Sequence, residues 1–201
     1  TVELDLGSGY GINLDNNAAV TNFTFKGFSV KASPTTSYAF KAYKADGLTF
    51  SNDMFDGGSG NSGGGVDINT TSHVALNNVS SSNFHKNGFA ITSSYTNADP
   101  ASSDITFNGI TASNNGWTGI SFYTVGADNS TKQTPTIGGS NNIAGVHFLG
   151  SNTISGNGAG IKVEGDTDAN ETANATPSYT VTSDGTTLDL DDSIAFSGNS
   201  T

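Results

Sequence analysis

A short unit of apolar, any residue, apolar recurs along the chain, each copy opened by Gly or Ala. The copies are Gly11-Ile12-Asn13-Leu14, Ala39-Phe40-Lys41-Ala42, Gly65-Val66-Asp67-Ile68, Gly88-Phe89-Ala90-Ile91, Gly119-Ile120-Ser121-Phe122 and Gly160-Ile161-Lys162-Val163. They begin at positions 11, 39, 65, 88, 119 and 160, so the intervals are 28, 26, 23, 31 and 41 residues. Between them a second unit returns in the same order: Phe23/Phe25, Leu48/Phe50, Val74/Leu76, Ile105/Phe107, Val146/Phe148 and Ile194/Phe196. A third, weaker apolar position follows at Phe28, Met54, Val79, Ile110 and Ile154. Three short alternating strands per period of this length predict an all-β solenoid, a parallel β-helix of about six rungs, because alternation turns one side of each strand inward and coiling stacks equivalent strands.

Turn chemistry agrees with this reading. Asn87-Gly88, Asn115-Gly116 and Asn157-Gly158 precede Gly-apolar strands, and both residue types tolerate the left-handed backbone of a tight corner. No stretch sustains the i, i+3, i+4, i+7 apolar spacing of an amphipathic helix. An immunoglobulin-like sandwich also has short strands, but the fixed order of the three units argues against it. The chain reads as a single domain over 1–201, a segment of a larger protein, with insertions near 93–103, 125–142 and 165–185.

Composition narrows the function classes. Leu, Ile, Val and Phe number 8, 11, 10 and 12, or 41 of 201 residues, near the limit below which a charged chain stays disordered. A β-helix needs only about two inward apolar positions per strand, and these residues fall largely on them. The net charge is -11 and all seven cations are Lys, which disfavours a nucleic-acid partner. No apolar run is long enough to span a bilayer, so membrane insertion is not expected. Without Cys there is neither a disulfide framework nor a thiolate metal site.

Copies such as SDITFNGITASNNGWTGISFY (103–123) and VHFLGSNTISGNGAGIKV (146–163) resemble the pectate-lyase-like superfamily of right-handed parallel β-helices. In style, rich in Ser, Thr, Asn and Asp and lacking Cys and Arg, the chain looks most like the non-catalytic adhesive domains of Gram-positive surface proteins. That resemblance implies an extracellular domain, at the bacterial surface or secreted. The catalytic residues of the superfamily's enzymes have no match. Its lyases use an Arg, which this chain lacks, and its galacturonan hydrolases use paired aspartates with Gly-His-Gly and Arg-x-Lys elements, also absent. Its alginate epimerases use Tyr-Gly-x-Asp-Pro-His, which Tyr10-Gly11-Ile12-Asn13 begins but does not complete.

Binding has more residues to work with. Outward positions of the Gly-apolar strands form two rows: Asn13, Lys41, Asp67, Ala90, Ser121 and Lys162, and beside them Asp15, Tyr43, Asn69, Thr92, Tyr123 and Glu164. Tyr rings, amides and single charges stack on sugar faces and hydrogen-bond their hydroxyls. Tyr43, Asp67, Asn69, Tyr123, Lys162 and Glu164 from these rows are the candidate ligand-binding residues, with Tyr95 and Lys132 on the insertions and Trp117 in a corner. The expected partner is a polysaccharide or host-surface glycan, bound without catalysis. A lyase or epimerase acting on acidic polysaccharide and a structural stalk are the alternatives. His73, His85 and His147 read as surface residues. No cofactor is expected, although Asp53 with Asp56, or Asp189 with Asp191 and Asp192, could hold Ca²⁺ weakly through oxygen ligands.

Overall fold

The computed structural model describes residues 2–15, 20–92, 102–124, 136–137, 143–165, 180–181, 188–190 and 194–197. Every regular element among them is a strand. After β1 (Val2–Asp5), the strands β2 (Gly9–Asp15), β3 (Thr21–Lys26) and β4 (Phe28–Lys31) make a first turn, and β5 (Thr36–Tyr43), β6 (Asp46–Ser51) and β7 (Met54–Asp56) a second. A third turn comprises β8 (Gly64–Asn69), β9 (Ser72–Asn77) and β10 (Ser80–Ser82), and a fourth β11 (Phe89–Thr92), β12 (Ser103–Asn108) and β13 (Thr111–Ser113). Then come β14 (Thr118–Thr124), the short β15 (Thr136–Ile137), β16 (Ala144–Leu149) and β17 (Asn152–Ser155). β18 (Ala159–Gly165), β19 (Thr180–Val181), β20 (Leu188–Leu190) and β21 (Ile194–Ser197) complete the order.

Each strand pairs in parallel with its counterpart one turn on, which makes a parallel β-solenoid. Face I stacks β2, β5, β8, β11, β14 and β18; face II stacks β3, β6, β9, β12, β16 and β20; face III stacks β1, β4, β7, β10, β13, β17 and β21. The solenoid has about four turns, slightly fewer than the six rungs expected from the repeat, and its buried core runs from Phe25 to Ile154. The insertions fall mostly outside the described residues. Within two of them, Thr136–Ile137 and Thr180–Val181 pair in parallel.

The core is the inward side of all three faces. Phe40, Val66, Phe89 and Ile120 line face I, and Leu48, Val74, Ile105 and Val146 line face II. Four rings from the first two turns meet, with Phe40 edge-on to Phe50 at 4.8 Å and Phe25 and Phe55 beside them. Such aromatic pairs contribute about 0.5–1.5 kcal/mol each beyond their area burial.

Face III departs from the sequence reading. Its inward row is Val30, Phe55, Ser81, Ala112 and Ile154, so Phe55 rather than Met54 fills the second turn. Met54 is 46% exposed. A one-residue offset moves a strand side chain to the opposite face, and two adjacent apolar residues leave that offset open in the sequence. Ile194 and Phe196 likewise belong to face III, where Phe196 registers with Ile154. The face II position of that turn is taken by Leu188 and Leu190.

The corners also differ from expectation. Left-handed backbone forms three columns: Gly27, Asn52, Asn78, Gly109 and Gly150 between faces II and III; Asn22, Gly47, His73, Asp104 and Gly145 at the start of face II; and Asn83, Asn114 and Gly156 at the end of face III. The Asn-Gly pairs before face I are not left-handed; their asparagines are buried instead. Asn115 accepts the Phe84 N–H at 3.1 Å and donates from Nδ2 to Ser81 O at 3.1 Å and to Asn157 Oδ1 at 2.9 Å. Asn157 donates in turn to Ala112 O at 2.9 Å. Amides were needed inside this corner because the turning backbone leaves N–H and C=O groups that the parallel ladders do not satisfy.

Candidate functional site

On face I, Gly88 and Gly119 follow from the asparagine corner, whereas β5 carries the buried Ala39 at the equivalent place. A Cβ on Gly88 would lie 2.6 Å from Asn115 Nδ2, and one on Gly119 2.8 Å from Gly160 O. With the strand start pinned in this way, the alternation that follows has one phase, and the outward positions are placed.

They form the two rows expected. Lys41 registers with Asn13 and Asp67, Asp67 with Ala90, Ala90 with Ser121, and Ser121 with Lys162. Beside them, Asp15, Tyr43, Asn69, Thr92, Tyr123 and Glu164 are aligned across the same six strands. At a parallel spacing of about 4.8 Å the strip is roughly 24 Å long. Tyr43, Asp67 and Asn69 are therefore neighbours, and the backbone positions of Tyr123, Lys162 and Glu164 continue the strip. Trp117 sits apart, in the corner before β14. Tyr95 and Lys132 lie outside the described residues.

The middle of the strip is enclosed although it points away from the core. Lys41 is 8% exposed, Asp67 6% and Asn69 0%, with Thr92 and Ser121 also buried, whereas Asn13 and Lys162 toward the ends are exposed. Alternation alone gives solvated positions here; enclosure is a tertiary property. Thr92 donates its hydroxyl to Asp67 Oδ1 at 3.0 Å, and Lys41 lies in register on the other side. Burial nevertheless dominates and pushes the Asp67 carboxyl up to about 6, against the opposing effects of the Thr92 hydrogen bond and the Lys41 charge. Lys41 Nζ stands 4.4 Å above the Tyr10 ring and 5.9 Å from that of Tyr43, and the Tyr10 and Tyr38 rings stack at 6.5 Å. Asn69 Oδ1 accepts from Thr70 Oγ1 at 2.8 Å, while its Nδ2 is buried with no hydrogen-bond partner among the described residues.

Trp117 is 38% exposed, with Lys86 Nζ 5.2 Å from its ring and His85 tilted against it at 6.2 Å. The arrangement is a surface aromatic with a cation beside it.

Two features lay beyond sequence reasoning. On the exposed column at the start of face II, His73 Nδ1 is 2.6 Å from Asp46 Oδ1 and its Nε2 3.8 Å from Asp104 Oδ2. The hydrogen bond from His73, with that from Ser72, lowers the Asp46 carboxyl, and the Asp46 partner raises His73. Three residues 27 and 31 positions apart become neighbours only through the turn lengths. The second feature is Asp53, whose Oδ1 accepts the Phe28 N–H at 2.9 Å and Oδ2 the Ser51 N–H at 2.8 Å. Its oxygens serve backbone, and Asp56 Oδ1 accepts from Asn83 and the Gly58 N–H. No group of three or more His, Asp or Glu side chains that could hold a metal ion occurs among the described residues. Asp191 and Asp192 lie outside them.

No family model matches the chain, and no curated protein or solved structure matches it. The fold defines its class, a parallel β-solenoid whose best-defined polar site is the strip on face I.

Proposed function

We propose that this domain is a non-enzymatic, adhesin-type module at the cell surface or secreted, which binds a polysaccharide or host-surface glycan along face I. The observation that carries the reading is the Asn69 Nδ2 group, a buried donor without a hydrogen-bond partner among the described residues, between Tyr43 and Thr92 on neighbouring strands. Leaving such a donor unsatisfied costs about 1–3 kcal/mol, and a ligand oxygen there removes that cost. Tyr10, Tyr38 and Tyr43 supply rings of the kind that pack on sugar faces, and the repeat of about 4.8 Å along the strip presents equivalent positions to a repeating polymer.

Glycan-array binding of the wild type and of Asn69→Ala and Tyr43→Ala tests this. Retained binding in both variants, or no binding by the wild type to any polymer, overturns it.

One observation favours catalysis instead: a buried carboxyl held near 6 beside a Lys is suited to proton transfer near neutral pH. A lyase would release unsaturated products absorbing in the ultraviolet, and an epimerase would change uronate stereochemistry. Neither change across a set of uronate polymers would remove that reading.

A further inference from the structure

Trp117 is the chain's only tryptophan, and it stands at the corner between faces III and I rather than on the strip. Its backbone is tied to the turns on both sides: the Trp117 N–H donates to Lys86 O at 3.1 Å, and Trp117 O accepts the Ala159 N–H at 2.7 Å. The ring nevertheless stays open to solvent. From the turn before, Lys86 brings its ammonium to 5.2 Å from the ring and His85 its imidazole to 6.2 Å. From the turn after, Gly156-Asn157-Gly158 sends no side chain outward, because Asn157 is buried and donates to Ala112 O at 2.9 Å. A Cβ on Gly158 would run into Gly116 O and Trp117 O, so that flank of the ring is kept bare by the packing of the turn itself.

Neither polar neighbour is engaged elsewhere. Lys86 Nζ has no ion pair or hydrogen bond, and the His85 ring nitrogens have no hydrogen-bond partner, among the described residues. A cation held near an aromatic ring is attracted through its charge and keeps its N–H donors. An exposed apolar ring, an ammonium and an imidazole N–H are thus presented together.

We propose that this corner binds one carboxylated sugar, the terminal unit of a host-surface glycan. The apolar face of the sugar packs on the bare side of Trp117, and its carboxylate takes the Lys86 ammonium with the His85 N–H as a second donor. One ring is the expected size. Carrying the face I registers back to the corner, the places equivalent to Trp117 are Lys86 on the turn before and Gly158 on the turn after, so no second aromatic extends the platform. The site lies off the strip on face I, and neither depends on the other.

With a single tryptophan in the chain, indole emission reports from the site itself. Sialyllactose should change Trp117 emission saturably, with matching heat in calorimetry, and lactose, the same glycan without the carboxylated unit, should do neither. Glucuronate is the second probe: a response to it as well shows that any carboxylated ring suffices, and a response to sialyllactose alone assigns the sialyl unit. Lys86→Gln should weaken binding about threefold to fivefold, as for a partly exposed charge pair. Trp117→Ala, read by calorimetry, should weaken it about tenfold. Both side chains lie at the surface, and unchanged thermal unfolding confirms that the variants fold. Absence of heat and emission change with both acidic probes, an equal response to lactose, or unaltered affinity in Lys86→Gln overturns the site. Glycan binding that is lost in Asn69→Ala and Tyr43→Ala and never alters Trp117 emission overturns the corner site and leaves the face I reading standing. A Trp117 response to sialyllactose with no effect of those two variants on any binding upholds the corner and overturns face I.

Discussion

Asn115 donates from Nδ2 to Oδ1 of Asn157, one turn further along the solenoid, at 2.9 Å, with both side chains buried. The same Asn115 amide accepts from Phe84 and donates to Ser81, so a single side chain ties backbone from the third turn to the turn after its own.

Asn115→Ala should therefore destabilise the domain by about 1–3 kcal/mol, since it leaves the Phe84 N–H buried without its partner. Denaturant unfolding would measure this. A loss below about 0.5 kcal/mol would mean that water replaces the amide at no cost.

Gly88→Ala and Gly27→Ala separate two uses of glycine. At Gly88 the new Cβ would stand 2.6 Å from Asn115 Nδ2 and 2.9 Å from Gly119 O, and the overpacking should cost about 1–3 kcal/mol together with disruption of the asparagine corner. At Gly27 nothing lies within 4 Å, and only its φ of 74° is at stake, worth about 1–2 kcal/mol. Gly27→Asn should recover most of that loss, as Asn52 and Asn78 occupy the same column. Gly88→Asn should not. Thermal unfolding of the four variants tests the contrast.

Asp67 should make the fold less stable as pH rises. Its folded carboxyl, at about 6, titrates above the unfolded value of 3.8, so between these values the native state holds more protons than the unfolded chain. Stability is then greatest below about pH 4, as far as this group is concerned, and falls until pH passes 6. Asp67→Asn should abolish that decline and raise stability at pH 7 by on the order of 3 kcal/mol. Unfolding free energies of both proteins from pH 4 to pH 8 provide the check, and parallel curves would contradict the assignment.

The Asp46 and His73 pair has the same sign as Asp67 on its histidine side and the opposite sign on its aspartate side. A raised His73 contributes stability that is full below its unfolded value of 6.5 and is lost as pH climbs through the folded value. The lowered Asp46 contributes above 3.8 and loses its effect as pH falls through its own folded value. Both side chains are exposed, so the coupling is small and salt-sensitive. A double-mutant cycle with Asp46→Asn and His73→Asn, the latter suited to the left-handed backbone there, should show coupling near pH 5.5 that vanishes at pH 9. Equal coupling at both values would exclude the charged pair.

Much of this architecture was legible in the chain. The Gly-apolar units set strand type and phase on face I, and the two outward rows built on them, Lys41 with Asp67 and Tyr43 with Asn69, stand in the registers that alternation requires. Face III was less legible, because Met54 and Phe55 are adjacent and apolar and neither period nor composition selects which one turns inward. The asparagines before face I were recognised as corner residues and given the wrong task. Asn tolerates left-handed backbone and also satisfies buried amides, and only the packing of Ser81, Phe84 and Asn157 around Asn115 selects the second use.

The sequence by itself determined a narrow apolar core of stacked parallel strands and the order of its polar rows, because a period of two and a repeat of 23 to 41 residues are local quantities. The tertiary structure decided which of those rows are wet. Enclosure raises Asp67, isolates the Asn69 donor and brings Asp46, His73 and Asp104 together across three turns. Burial and distance between turns depend on how long each loop is and where it returns, and no local pattern carries that information.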